Sequence, residues 1–317
     1  MSYIGEQQRI LVQVAWLYYK EGLTQREIGE KLGLSRVTVN RLLQRARERG
    51  IVQVHIDAPD ARYLELESAL RQAFGLRDAV VTPSLAPEDR EARYVALARA
   101  GAEWLLSHLQ DGMRVGLGMG RTVAHLPQFF APTRTIACAF AEVVGGAATR
   151  ADGFSTYNVT SRMAELAGGR AEYIYAPLLA STRSLRDSLM VEPTVAEALA
   201  RARASDILIQ SVGPVDESAL LFIHGHLDLT ELHELRVRGA VGDMLGQYFD
   251  AEGHLVPNEV SARVVGLSLR DVAQIPLSVV LAGGQEKVPV LMAVLRGGLC
   301  NVLITDAWTA QRLLEEG

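Results

Sequence analysis

Thr24 stands three residues before Glu27, and Ser35 follows the break Gly33-Leu34 to open another helical run. A hydroxyl residue answered by an acid three positions on has the spacing of a capping box, and Ser35 is an N-cap residue by type. Two helix starts this close together leave room for one short helix, a tight turn and a longer helix. Ile28 and Leu32 give the short helix its buried face. Val39, Leu42, Leu43 and Ala46 do the same for the longer one, which runs to Arg49. Ahead of them, Ile10, Leu11, Val14, Ala15, Leu17 and Tyr18 recur at helical spacing up to Gly22 and predict a first helix with one apolar face. The pattern is that of a helix-turn-helix.

Its chemistry matches that geometry. A recognition helix enters the major groove N-terminus first, so its opening side chains must reach base edges. Arg36 can pair bidentately with guanine and Asn40 with adenine, and Thr38 can touch a thymine methyl or a phosphate. Arg41 and Arg45 lie further along and suit phosphates, as do Thr24 and Gln25 on the second helix and Ser35 at the cap. Residues 1–57 carry nine Lys and Arg against six acids, a charge of +3, whereas the remaining residues carry 23 against 31, or −8. A basic head on an acidic body fits a chain of which only the head meets a polyanion. A basic bundle used for protein contacts is the competing reading, but it leaves the cluster of uncharged hydrogen-bonding residues at the helix start unexplained. The alternating run Ile51–Ile56 predicts a strand that begins a wing. Asp57-Ala58-Pro59-Asp60 then breaks the pattern and sets the boundary between a DNA-binding domain, 1–57, and a larger domain, 58–317.

The larger domain opens with an amphipathic helix over Ala61–Phe74, either a mechanical link or the first element of the body. Strands are expected at Asp78–Thr82, Met113–Leu117, Thr135–Ala139, Tyr173–Ala176, Asp206–Val212, Leu277–Leu281 and Asn301–Thr305, with helices between them. Short apolar strands without polar alternation, separated by helices, imply a parallel α/β sheet covered on both faces, where ligands bind beyond the C-terminal strand ends. The turn Gly116-Leu117-Gly118-Met119-Gly120-Arg121-Thr122 is the most informative of these. Its glycines allow close backbone approach to an anion, and the helix after it offers free N–H groups. Arg121 and Thr122 add a charge and a hydroxyl. The spacing is neither that of the dinucleotide fingerprint nor that of a nucleotide P-loop. Gly213, Asp243, Gly284, Lys287 and Asp306 mark further turns; the carboxylates suit sugar hydroxyls and Lys287 suits a phosphate.

Other chemistries find less support. His224, His226, Asp228 and His233 have a permissive metal spacing but no rigid element to hold them, so a polar loop or lid is expected and no metal or cofactor is assigned. There is no Gly-x-Ser-x-Gly elbow, and no catalytic residue is assigned. The two cysteines, Cys138 and Cys300, sit in apolar runs and read as reduced, buried thiols of a cytoplasmic protein without a membrane span. Trp16, Tyr18 and Tyr19 read as core and subunit contact.

Taken together, the segments Thr24–Ile28, Ser35-Arg36, Arg41–Leu43, Gly50–Val52, Gly116–Thr122, Gly239–Asp243, Ala282–Lys287 and Gly297–Asp306 resemble the SorC family of bacterial transcriptional regulators nearly end to end. The resemblance implies a winged helix-turn-helix, all-α apart from the wing, fused to a Rossmann-like effector domain of the phosphosugar-isomerase type. It implies an operon regulator that binds operator DNA, is gated by a sugar, polyol or sugar phosphate without turning it over, and assembles as a dimer of dimers. By motif match, Gly118, Gly120, Arg121 and Thr122 hold a phosphate, with Asp243 and Lys287 at the ligand. Ala307 stands where the family often carries an acid, which leaves two roles for Asp306: ligand acceptor or helix cap. The competing function is a sugar-phosphate isomerase or deaminase with an accessory DNA-binding head, using Asp243 or Glu142 as base and Lys287 as anchor.

Overall fold

The computed structural model describes residues 6–52, 61–86, 89–146 and 155–317. The chain divides into two compact units, residues 1–61 and 62–317.

In the smaller unit, α1 (Glu6–Tyr19), α2 (Gln25–Leu32) and α3 (Arg36–Glu48) follow the hydrophobic spacing. Val14, Leu17, Ile28, Val39 and Leu43 meet in one buried cluster, and Leu11, Ala15 and Ala46 in another. Trp16 is not part of the core: it is 58% exposed and belongs to neither cluster, because Val14, Ala15 and Leu17 take the inward positions. The wing strand expected over 51–56 falls, from Gln53 onward, outside the described residues.

All of α4 (Ala61–Phe74) but its first residue lies in the larger unit, and its Leu70 is buried in the main core, so this helix packs as part of the body. Next come β1 (Asp78–Thr82), α5 (Arg90–His108), β2 (Arg114–Leu117), α6 (Arg121–Phe129), β3 (Ala139–Glu142), α7 (Thr156–Ala167) and β4 (Arg170–Glu172). After these are α8 (Arg183–Val191), α9 (Pro193–Arg203), β5 (Ile207–Gln210), β6 (Gly213–Pro214), α10 (Leu220–Ile223), α11 (Leu229–Val237), β7 (Gly242–Met244) and β8 (Gln247–Phe249). The chain closes with α12 (Leu269–Val272), β9 (Leu277–Leu281), α13 (Val288–Arg296), β10 (Val302–Asp306) and α14 (Ala307–Glu316).

Seven strands form one sheet in the order β1-β10-β9-β5-β2-β3-β4, and every pairing is parallel. All four residues of β5 are buried, as are all five of β10, which is why these runs show no alternation. One strand sits later than its apolar run suggests. The strand expected at Thr135–Ala139 is β3, at Ala139–Glu142, because pairing with β2 aligns Ala139 with Arg114 and Glu142 with Leu117. The preceding residues are tied down elsewhere, with Ala137 N–H donating to Asp111 Oδ1 at 2.8 Å. No strand forms over the expected Tyr173–Ala176; the edge strand is β4, at Arg170–Glu172, whose three residues pair with β3, and the tyrosines lie beyond it. A second sheet, β6-β7-β8, is antiparallel and was not foreseen, since strands of two and three residues are too short to show a period. Cys138 and Cys300 are both buried and unpaired.

Candidate functional site

In the head, the capping box forms as spaced. Thr24 Oγ1 accepts from Glu27 N–H at 3.3 Å, and Thr24 N–H donates to Glu27 Oε2 at 2.7 Å. Gly33 ends α2 in the left-handed region at φ 68°, where glycine carries no steric cost. At Gly29 space is decisive: a Cβ there would lie 2.5 Å from the Leu34 carbonyl oxygen. This close approach is what folds α2 onto the start of α3.

Ser35 caps α3, accepting from Thr38 N–H at 3.1 Å, and its Oγ lies 2.8 Å from Thr38 Oγ1. The hydroxyls of Thr24, Ser35 and Thr38 are therefore engaged in caps. Gln25 Nε2 donates to Asn40 Oδ1 at 3.4 Å and links the two helices. Arg36, Asn40, Arg41 and Arg45 are exposed along α3. Two of the head's acids pair with α2 cations, Glu30 with Arg26 and Glu21 with Lys31. Among the described residues no carboxylate pairs with Arg36, Arg41 or Arg45. The outcome is a helix with one buried apolar side and one open, cationic side. Sequence reading passed over Val37, which is also on the open side.

In the body, a cleft lies beyond the C-terminal ends of β2, β5 and β9, three adjacent central strands. From β2 come Met119, Gly120, Arg121 and Thr122; from β5, Ser211 to Pro214; from β9, Ala282, Gly283 and Lys287. Gly120 precedes α6 at φ 142°, and a Cβ there would sit 2.4 Å from Ser211 Cβ. The first turn of α6 has no side-chain cap, so its N–H groups are available to a ligand. Gly118, expected at the ligand, is not in the lining: it packs against Gln210 and Leu245, where a Cβ would meet Gln210 Cβ at 2.8 Å.

Asp243 reaches the cleft from the small sheet rather than from a parallel strand end. The β7–β8 hairpin turns through Leu245 and Gly246, both at positive φ. Gly246 N–H donates to Asp243 Oδ2 at 3.3 Å. Burial raises the Asp243 carboxyl to about 6, against the opposing pull of Lys287 and that hydrogen bond. Burial also lowers Lys287 to about 8, with Asp243 opposing. Lys287 Nζ donates to the Val212 carbonyl at 2.6 Å and so joins the β9 turn to the β5 turn. The pair places a cation and a carboxylate in a poorly hydrated pocket beside an uncapped helix start.

Several expectations fall differently. Asp306 is not in the cleft lining; it caps α14, accepting from Thr309 N–H at 3.0 Å and from Thr309 Oγ1 at 2.8 Å. The reason is topological, because β10 lies one strand beyond β9. Gly284 is likewise outside the lining, and its N–H donates to Thr309 Oγ1 at 2.8 Å. Glu142, the alternative base, is buried away from the cleft and accepts from Thr156 Oγ1 and Ile174 N–H, at 3.0 and 2.9 Å. Burial raises its pKa. Asp228 caps α11 in a capping box with Glu231, and no group of potential metal ligands occurs among the described residues. Conversely, Tyr94, Ser218 and Leu245 line the cleft without having been singled out. The Arg121 guanidinium carbon stands 6.0 Å from the Tyr94 ring centre. Nothing local marks Tyr94, which arrives from the second turn of α5.

Comparison with known proteins agrees with this division. The family described as "Putative sugar-binding domain" matches residues 59–315, and the MarR family matches residues 13–62. The transcriptional regulator LsrR of Escherichia coli K12 is 33% identical over 311 residues, covering 96% of this chain and 94% of its own. LsrR of Enterobacter sp. strain 638 is 31% identical over 315 residues, covering 97% and 93%. The full-length sorbitol operon regulator SorC from Klebsiella pneumoniae superposes with a TM-score of 0.75 at 27% identity, covering 96% of this chain and 98% of that one. The sugar-binding domain of a transcriptional repressor from Vibrio fischeri gives 0.74 at 28% identity, covering 80% and 98%. These relatives are named as regulators, not as isomerases or deaminases. Matched nearly end to end in sequence and in fold, the chain belongs to the SorC family of transcriptional regulators, with a helix-turn-helix head joined to a sugar-binding domain.

Proposed function

We propose that α3 binds operator DNA in the major groove, and that a sugar or sugar phosphate in the cleft gates that binding at a carbohydrate-metabolism operon. One observation carries the effector side of this reading: the uncapped start of α6, Arg121, Lys287 and Asp243 converge on a single cleft. The helix start and the two cations suit a phosphate or another anion, and Asp243 and the serines suit hydroxyls. Arg36 and Asn40 take base edges, Arg41 and Arg45 take phosphates, and Thr24, Gln25, Ser35 and Thr38 hold the helix pair in register. Asp243 acts as a hydroxyl acceptor, not as a proton-transfer base. A cytoplasmic dimer of dimers of the phosphosugar-isomerase type, as the family resemblance implies, completes the proposal.

Ligand changes DNA affinity only by as much as it prefers one of two states, so the test must measure both. Fluorescence anisotropy with the DNA upstream of the chain's own gene, titrated with a panel of sugars, polyols and their phosphates, provides that measurement. The expected result is salt-sensitive binding whose affinity shifts with one compound, a shift that Lys287→Met abolishes. A chain that binds no upstream duplex at low salt refutes the DNA side. A chain that binds DNA but melts at the same temperature with every compound refutes the effector side.

A further inference from the structure

Val37 is 78% exposed, the highest value for a large apolar side chain among the described residues. It is the second residue of α3, after Arg36, and the head's buried clusters draw on Val39, Leu43 and Ala46 instead. Helical spacing puts Arg41 on its face, one turn on, and Asn40 is close by. A β-branched apolar residue in this place gains nothing for the helix or for the core. Thr38, the expected partner of a thymine methyl, is half-buried with its hydroxyl 2.8 Å from Ser35 Oγ. Val37 therefore offers the open apolar surface at the end of the helix that would enter a groove first.

The major groove has one apolar feature, the C5 methyl of thymine. The cationic residues around Val37 complement duplex DNA and disfavour an apolar protein partner at this position. We infer that Val37 is a base-reading residue that packs its methyl groups against a thymine methyl and so sets sequence preference. The inference rests on the proposed insertion of α3 into the groove. Having a single well-populated χ1 rotamer, the side chain loses little freedom on contact.

Deoxyuridine isolates the contact, since uracil keeps every hydrogen-bonding atom of thymine and lacks only the methyl. Duplexes are selected from a randomised library with the full-length protein, then remade with uracil at one thymine position at a time. At one position or more the wild type is expected to bind about fourfold more weakly to uracil, the weight of one buried methyl. Val37→Ala binds both duplexes alike, whereas Arg45→Ala binds more weakly throughout but keeps the preference. Val37 is exposed, so the variant keeps the wild-type melting temperature. A wild type indifferent to uracil at every position of its selected duplex overturns the inference and leaves DNA binding standing. So does a Val37→Ala protein that still prefers thymine, or one changed only in oligomeric state. Selection of no duplex at all overturns both.

Discussion

Gly29→Ala reverses an ordinary rule. In a helix interior the exchange stabilises by about 1 kcal/mol, since alanine is the better helix former. Here the new Cβ lands 2.5 Å from the Leu34 carbonyl oxygen, which belongs to backbone and cannot rotate aside. A tolerable carbon–oxygen contact is about 3.3 Å, so the turn must open by about 0.8 Å. That movement strains the Leu34 N–H to Gly29 carbonyl bond, now 2.8 Å, and shifts the start of α3. Overpacking of this kind costs about 1–3 kcal/mol, and subtracting the propensity gain leaves a net loss of up to about 2 kcal/mol in the head. Gly33→Ala is the control: it forces alanine to φ 68° at about 1 kcal/mol but meets nothing within 4 Å. Hydrogen exchange of the α2 and α3 amides in the full chain reads both local stabilities, and DNA affinity reads the helix geometry. Both variants exchange faster, but only Gly29→Ala loses affinity beyond what its stability explains. Slower exchange in Gly29→Ala would refute the steric argument.

Titration of the cleft supplies a further expectation. Folded Lys287 releases its proton at about 8 rather than 10.5, so the unfolded chain binds more protons in between and stability rises with pH across that window. Folded Asp243 holds its proton up to about 6 rather than 3.8, so stability falls with pH across that lower window. The pair's contribution is therefore lowest between about 6 and 8, and Asp243→Asn removes the lower limb of the profile measured by urea unfolding. The same Lys287 value predicts anion binding roughly tenfold weaker at pH 9 than at pH 7, measured by calorimetry with a bound phosphate ester. Gly120→Ala, with its Cβ 2.4 Å from Ser211 Cβ, abolishes the thermal shift given by that ligand while α2 and α3 exchange as in the wild type. Thr309→Val leaves the buried Gly284 N–H without its acceptor and lowers stability by about 1–3 kcal/mol in denaturant melts.

Local chemistry made the head legible. Caps act over three residues and apolar faces over one turn, so Thr24 with Glu27, Gly33, Ser35 and the α3 face could all be read before any contact was known. Six of the seven parallel strands were likewise visible as apolar runs, one of them displaced, but the edge strand Arg170–Glu172 has no apolar run and forms by pairing with β3. The cleft was legible only in part. Gly120, Arg121 and Thr122 line it and lie together in sequence, on one strand-to-helix turn.

What the tertiary structure alone decided is which distant turns meet. Strand order puts the ends of β2, β5 and β9 side by side and leaves β10 outside, so Lys287 enters the cleft and Asp306 caps a helix. Asp243 arrives on a hairpin whose strands are too short to carry a pattern, and Tyr94 arrives from the second turn of α5, far away in the chain. Caps and amphipathic faces are governed by neighbours within about one turn of chain, and these the amino-acid order records directly. A site built across parallel strands depends on pairings between segments that are far apart in the chain, and no local spacing encodes those pairings.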